Sequence, residues 1–418
     1  MDSPNAFGGV NAIQINTISL NSLVSKKTID ITGIYGQLEI YQTLFAPTML
    51  GSITISDSSG LLQNLPMLGE ESLTIDVQTP NRNKISKTFY VYGIDNLDYD
   101  ENGSHINFRL NFASADQYNA ITTIVAQGFN QNISSIVQGI LTSKVQTKQI
   151  IEVEMSKGIE TLIIPSLNCW EGIELLRKRA VSPTYNSPYV FFEDMAGYHF
   201  VTYEYLINKR KANSNNLIFT ADSYLPKAGD NSGSVTVLGS QLRNASNLTI
   251  DSKASTTHLI NSGGINSRTV VFDFLNKSIS NVDTNYNDAA TLIKQPFASS
   301  FNPSHSTAFA NTGSVPPVTY MLPLDTSNAS ALPKQYGQHK LYASMLNENK
   351  ISFNTPGDTQ IQAGDIINFI FPVRVNSPNV DNQATGLYII GNIRLGISGG
   401  QAINTIEAFR FGFPTKVI

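Results

Sequence analysis

The sequence predicts a mainly β protein with an α+β block in its middle. Two observations carry this: strands with a two-residue apolar period at both ends of the chain, and a set of β elements that recurs in the same order. Ser72 to Gln78 sets Leu73, Ile75 and Val77 on one face and Thr74 and Asp76 on the other. Ile106 to Phe112 sets Ile106, Phe108, Leu110 and Phe112 against Asn107, Arg109 and Asn111. A period of two means one buried and one wet face, as in antiparallel sheets and barrels.

In chain order, Ser52 to Ser56 opens the series, with Ile53 and Ile55 on one face. Asn102-Gly103 is a two-residue turn signal and joins Thr88–Ile94 to His105–Phe112 as a hairpin. The pattern changes after Ser114. Ile133, Ile136, Val137, Ile140 and Leu141 repeat at helical spacing. A second helix starts at Asn168, with Glu171 in capping-box position, and stops at Ser182-Pro183. Pro188 to Glu193, a turn from Asp194 to Gly197, and Tyr198 to Tyr203 then read as strand, turn, strand. Residues 281–340 are rich in Asn, Ser, Thr and Pro and read as an insertion or extended connection. Such a composition buries little apolar area, so limited proteolysis of the free protein is expected to cut there first. Preferential cleavage within residues 70–112 would contradict this. From Ile351 onward β signals return, through Ile366–Phe371, Leu387–Ile393 and a last strand through Ile406 and Phe411.

The repeat aligns Gly69-Glu70, at the start of one strand, with Gly364-Asp365. It aligns Tyr92 with Tyr388, and Asp57 at the end of Gly51–Asp57 with Asp273 at the end of Asn266–Asp273. The division it suggests is 1–114 and 241–280 with 341–413 as two β units, 115–240 as the α+β domain, and 281–340 inserted.

Composition narrows the function. Of 418 residues only 14% are charged, against a typical ~25%, and the net charge is −4. A nucleic-acid reader concentrates basic residues on one face, whereas here only Arg177–Arg179 and Lys209–Lys211 cluster. The single cysteine, Cys169, excludes an internal disulfide and a cysteine zinc site. The N-terminal stretch lacks the basic start and apolar core of a signal peptide. Ile366 to Val375 is too short and too polar for a ~20-residue membrane span. Nucleotide, hydrolase and metalloprotease motifs are absent, and the five histidines are scattered. The pairs Glu70-Glu71 and Glu193-Asp194 point to opposite faces of a strand, unlike the facing carboxyls of a glycosidase. The aromatic residues from Tyr185 to Tyr205 are explained by packing of the hairpin's alternate residues against the Trp170 helix. No catalytic, metal or cofactor site is expected.

Leu38 to Asp57, the approach Leu65-Pro66 to Gly69-Glu70, the block Tyr189 to Phe200, and Gly364-Asp365 followed by Leu387 to Ile390 resemble, in order, the baseplate hub protein of contractile-tailed bacteriophages. The resemblance implies two tail-tube-like antiparallel β-barrels per chain. It further implies a homotrimer whose six barrels adapt the sixfold tail tube to the threefold central spike and enclose part of the DNA conduit. The expected partners are the chain itself, the central spike protein, and tail tube or tube-initiator proteins, with baseplate wedge and tape-measure proteins as further neighbours. The expected setting is the virion baseplate, assembled in the host bacterial cytoplasm, with DNA passing unbound and no membrane insertion. Alternative readings are a β-rich receptor- or glycan-binding tail protein and a cell-wall-degrading tail hydrolase.

Overall fold

A computed structural model describes residues 11–22, 25–64, 69, 71–79, 84–100, 105–211, 214, 217–221, 243–252, 266–274, 276–285, 318–324, 332–346, 349–371 and 385–410. The Asn102-Gly103 turn, Glu70, Phe411, and residues 286–317 and 325–331 of the expected insertion lie outside this set.

The first β unit comprises β1 (Gln14–Asn21), β2 (Thr28–Asp30), β3 (Tyr35–Thr43), β4 (Leu50–Asp57), the short helix α1 (Leu61–Asn64), β5 (Ser72–Gln78), β6 (Ile85–Tyr99) and β7 (Ile106–Ser114). The alternation read from the sequence holds: Leu73, Ile75 and Val77, and Phe108, Leu110 and Phe112, all fill one core. Gly51 on β4 lies beneath the Phe112 ring, where an added Cβ would come within 2.3 Å. Only a residue without a side chain lets that aromatic cross the strand.

The α+β domain follows. It holds α2 (Asp116–Thr122), the antiparallel pair of β8 (Ile124–Gln131) with β10 (Glu160–Asn168), and α3 (Ile133–Gly139), which lies between them in the chain and continues as a π-helical turn, Ile140–Val145. Next come α4 (Cys169–Arg179), a sheet of β9 (Ile150–Val153), β11 (Tyr189–Glu193) and β12 (Gly197–Thr202), and α5 (Tyr203–Arg210). Asn168 caps α4 in the expected capping box with Glu171. Trp170 packs on Phe191 and Tyr198 at ring distances of 5.5 and 5.7 Å. The β11–β12 hairpin departs from expectation on its other side. Every residue of both strands is buried. Tyr189, Phe191, Tyr198 and Phe200 face the Trp170 core, while Val190, Phe192 and Val201 enter the core of the second β unit. The hairpin is a wall shared by two cores.

The second unit comprises β13 (Ile218–Ala221), β14 (Asn244–Ser252), β18 (Asn349–Pro356), β19 (Ile366–Ile370), β20 (Gly386–Ser398) and β21 (Gln401–Arg410). These six close into a barrel through β19–β20 pairing. Strand β13 falls inside 115–240 yet is a barrel strand, because it pairs in parallel with both β14 and β19. Conversely, β15 (Asn266–Asp273) is not the counterpart of β4. It forms a separate three-stranded sheet with β16 (Ser278–Asn285) and β17 (Val318–Leu324). Helix α6 (Leu332–Leu346) contacts this small sheet and sends Tyr342 into the core of the second unit.

Five strands recur. The orders β3-β4-β7-β6-β5 and β14-β18-β21-β20-β19 are the same when each set is numbered along the chain, and all these neighbours are antiparallel. Even a bulge repeats: β6 slips by one residue against β7 between Val91 and Gly93, as β20 does against β21 between Ile390 and Asn392. The two units are continuous. Asn392 to Ser398 of β20 pair with Gln37 to Thr43 of β3. Leu395, Ile397 and Ala402 at the β20–β21 tip belong to the core of the first unit, and an Ala12–Gln401 bridge ties that tip to the start of β1. The first barrel therefore does not end at residue 114; it borrows a hairpin from the C-terminal unit.

Candidate functional site

The expected signature residues fall at equivalent strand ends only in part. Asp57 is buried at the end of β4 and accepts hydrogen bonds from the Ser59 N–H and hydroxyl. Its counterpart in the second barrel lies one residue off register, at Asp358, which accepts from the Gln360 N–H. Asp273 instead ends a strand of the separate sheet and accepts from Asn276. Gly69 and Gly364 share a left-handed backbone, with φ of 85° and 84°. The carbonyl of Glu71 accepts from Val91 N–H at 2.8 Å, and that of Asp365 from Ile390 N–H at 2.9 Å. In this register Phe89, opposite Leu73, takes the place of Tyr388, opposite Ile367. Tyr92 sits at the bulge, 59% exposed, where the second barrel has Gly391, while Tyr388 is buried beneath the Arg410 guanidinium.

The structure gathers a different set of polar residues where the α+β domain meets both barrels. Glu193 ends β11, Asp194 follows it, and both are buried. Glu193 reaches the first barrel: it accepts from Lys87 Nζ on β6 at 3.0 Å and from Met49 N–H at 3.0 Å, and from Gln149 Nε2 at 2.8 Å. Asp194 turns the other way. It accepts from the Ala196 and Gly197 N–H groups, lies 2.9 Å from His199 Nε2 and 3.2 Å from an Arg210 nitrogen. His199 Nδ1 meets Glu152 on β9 at 2.8 Å, and Glu152 also accepts from Tyr205 and Lys209. Arg210 extends the chain to the second barrel, donating to the Ala363 carbonyl at 3.0 Å and meeting Asp365 at 3.3 Å.

The electrostatics follow from that packing. Burial would lower the His199 pKa, but the Asp194 and Glu152 carboxylates outweigh it and raise it. The hydrogen bond from His199 holds Glu152 down to about 2, with Lys209 and Tyr205 adding to it. Asp194 is lowered: desolvation opposes, and His199 and Arg210 overcome it. Asp365 is pushed up to about 6 by burial, with Arg210 only partly compensating. An imidazole with a carboxylate at each nitrogen has no nitrogen left for a substrate, so this cluster is built as a clamp. Burial raises the Cys169 thiol, which makes it a poor nucleophile. Among the described residues no group of three or more His, Cys, Asp or Glu could hold a metal, and no helix is long and apolar enough to cross a membrane.

The described residues also form two open surfaces. A cleft of about 760 Å³ runs between β6 and the α+β domain, past Tyr92, Tyr118, Lys148 and Ile150. A shallow depression of similar size lies across the seam of the barrels on the sheet face away from the cores, with Tyr41, Leu50, Arg109, Arg394 and Glu407. Charges of both signs meet there: Arg394 lies 3.3 Å from Glu39, Glu407 lies 2.6 Å from Lys350 beside the depression, and Arg109 stands opposite Asp95 in the strand register.

This mostly β architecture is the fold of phage tail proteins. The chain superposes with a TM-score of 0.56 on a 43 kDa tail protein of prophage MuSo2 from Shewanella oneidensis, covering 96% of this chain and 100% of that one at 11% identity. A tail protein from Neisseria meningitidis MC58 gives 0.55, covering 96% and 98% at 9% identity. In sequence, the chain resembles a phage baseplate hub protein: it is 22% identical over 395 residues, 88% of each chain, to the probable baseplate hub protein gp334 of Vibrio phage KVP40. No family model matches.

Proposed function

We propose that the chain is the baseplate hub of a contractile phage tail, a structural and non-enzymatic part of the virion. Three copies would form a pseudo-sixfold ring that joins the sixfold tail tube to the threefold central spike. The observation that carries this is the five-strand repeat joined edge to edge by β20 and β3. A chain with two like barrels side by side presents six such barrels when three copies assemble, which lets a threefold object seat on a sixfold one. The neutralised face across the seam suits the wall of a conduit, since a dense basic belt would hold the phosphates of passing DNA. In this reading Asp57, Gly69, Gly364, Asp365 and Tyr388 shape the barrel ends and act on no substrate.

The native mass of the purified protein should be three times the 45.6 kDa chain mass, and particle images should show a ring with an axial hole. A closed trimer without a hole, or one lined by unpaired Lys and Arg, would refute the conduit. A chain that stays monomeric in concentrated solution would refute the self-assembling hub.

A further inference from the structure

The matched strands of the two barrels are not matched in their partners. Strand β20 leaves β19 at Ile389, and on that same side its second half takes β3 as a new neighbour. Its equivalent, β6, leaves β5 at Tyr90, and from Gly93 to Tyr99 it pairs, among the described residues, with β7 alone. The equivalent of β3 is β14. It pairs with β18 along one side and meets β13 on the other only at Asn244 and Ala245. From Ser246 to Ile250 no second strand lies beside it among the described residues. Among the described residues each chain thus carries one open edge of each kind that the β20–β3 seam joins.

We propose that these edges pair between copies: β6 of one chain adds to β14 of the next and repeats the β20–β3 seam, so that chains link head to tail. The number of chains in the ring, three, rests on the hub reading above. The seam itself rests on the register. Aligned through their partners β4 and β18, Leu38 and Ile40 of β3 correspond to Leu248 and Ile250 of β14. Aligned through β7 and β21, Leu395 and Ile397 of β20 correspond to Leu97 and Tyr99 of β6, whose bulge at Asn96 adds one residue. Within one chain Leu395 faces Ile40, Ile397 faces Leu38, and all four are buried. Their counterparts are Leu97, 51% exposed, against Ile250, 43% exposed, and Tyr99, 63% exposed, against the half-buried Leu248.

Large apolar side chains along an unpaired edge are a hazard for a protein that works alone. Here they fall in the register that buries their equivalents. The register also sets Asp95 across from Asp251, each flanked on its own sheet by a cation, Arg109 and Lys350. The interface is heterologous: every copy gives β6 to one neighbour and receives on β14 from the other. Such contacts form rings when the rotation closes and filaments when it does not. Six barrels in equal steps close after three chains.

The test is the double variant Leu97→Cys with Ile250→Cys, oxidised in concentrated solution and run without reductant. The only native thiol, Cys169, is buried. The expected result is a covalent ladder that stops at three chains, with each single variant remaining un-crosslinked. Cross-linking of either single variant would mean a self-complementary contact and overturn the proposal, as would a ladder running past three. A double variant that is trimeric by native mass but does not cross-link overturns this seam and leaves the hub reading standing. No cross-link and no trimer, in wild type and variant alike, overturns both. As a companion, Leu97→Asp should convert trimer to monomer with an unchanged circular dichroism spectrum; a persisting trimer counts against the seam.

Discussion

Replacing Lys87 with methionine should destabilise the chain by about 3–5 kcal/mol, the cost of leaving a buried carboxylate without its cation. Glu193 has no exposed side-chain surface and Lys87 little. The ammonium also donates to Gln149 and to the Asp194 carbonyl. Lys87 belongs to the first barrel and Glu193 to the α+β domain, so the loss should appear as early loosening between them. Denaturant titration read by Trp170 fluorescence checks this, because that indole packs in the core of the α+β domain. The double variant Lys87→Met with Glu193→Gln should recover a large part of the loss, since it removes the stranded charge. A loss below about 1 kcal/mol in the single variant, the value of an ordinary surface pair, would show that the pair does not bind the two units together.

The contrast between what the sequence declared and what it hid has physical causes. Alternation is a local property, so Leu73 to Val77 and Ile106 to Phe112 announced their strands, and Asn168 with Glu171 announced a helix start. The repeat was legible because five strands kept their order, yet its details were shifted. Phe89, three residues before Tyr92, holds the site of Tyr388, and an extended run ending in aspartate made β15 look like β4 when β18 fills that role. The β20–β21 tip gave a signal in Leu395 and Ile397, whose alternation runs on past Ile393 into the other barrel. The clamp gave none. Met49, Lys87, Glu152, Glu193, Arg210 and Asp365 are brought together from three separate units, and no local pattern encodes that meeting. Glu193 and Asp194 do turn opposite ways: Glu193 engages Lys87 of the first barrel, while Asp194 meets His199 and Arg210, and it is Arg210 that reaches the second barrel.

His199→Leu should be the second severe change. The ring stacks on Phe192 at 4.8 Å and separates Asp194 from Glu152, so leucine fills the space but leaves two carboxylates facing each other across it. A loss of about 3–5 kcal/mol is expected, and its pH dependence identifies the cause. The His199 pKa is raised on folding, so its contribution is complete below the ordinary value of 6.5 and fades as pH rises through the folded value. Glu152 is lowered to about 2, so its contribution is complete above 4.5 and fades as pH falls toward 2. Asp194, also lowered, fades in the same acidic direction. Asp365, raised to about 6, acts oppositely to these two and favours the folded state as pH falls through that value toward 3.8. The wild type should therefore be most stable in mildly acidic solution, between about pH 4.5 and 6.5, and should weaken on the alkaline side. Melting temperatures across pH 4 to 9 should show a steeper alkaline decline in the wild type than in His199→Leu, which keeps only the part that comes from Asp365. Parallel profiles for the two proteins would mean that the imidazole is neutral in the fold and that Arg210 and Lys209 alone hold the carboxylates.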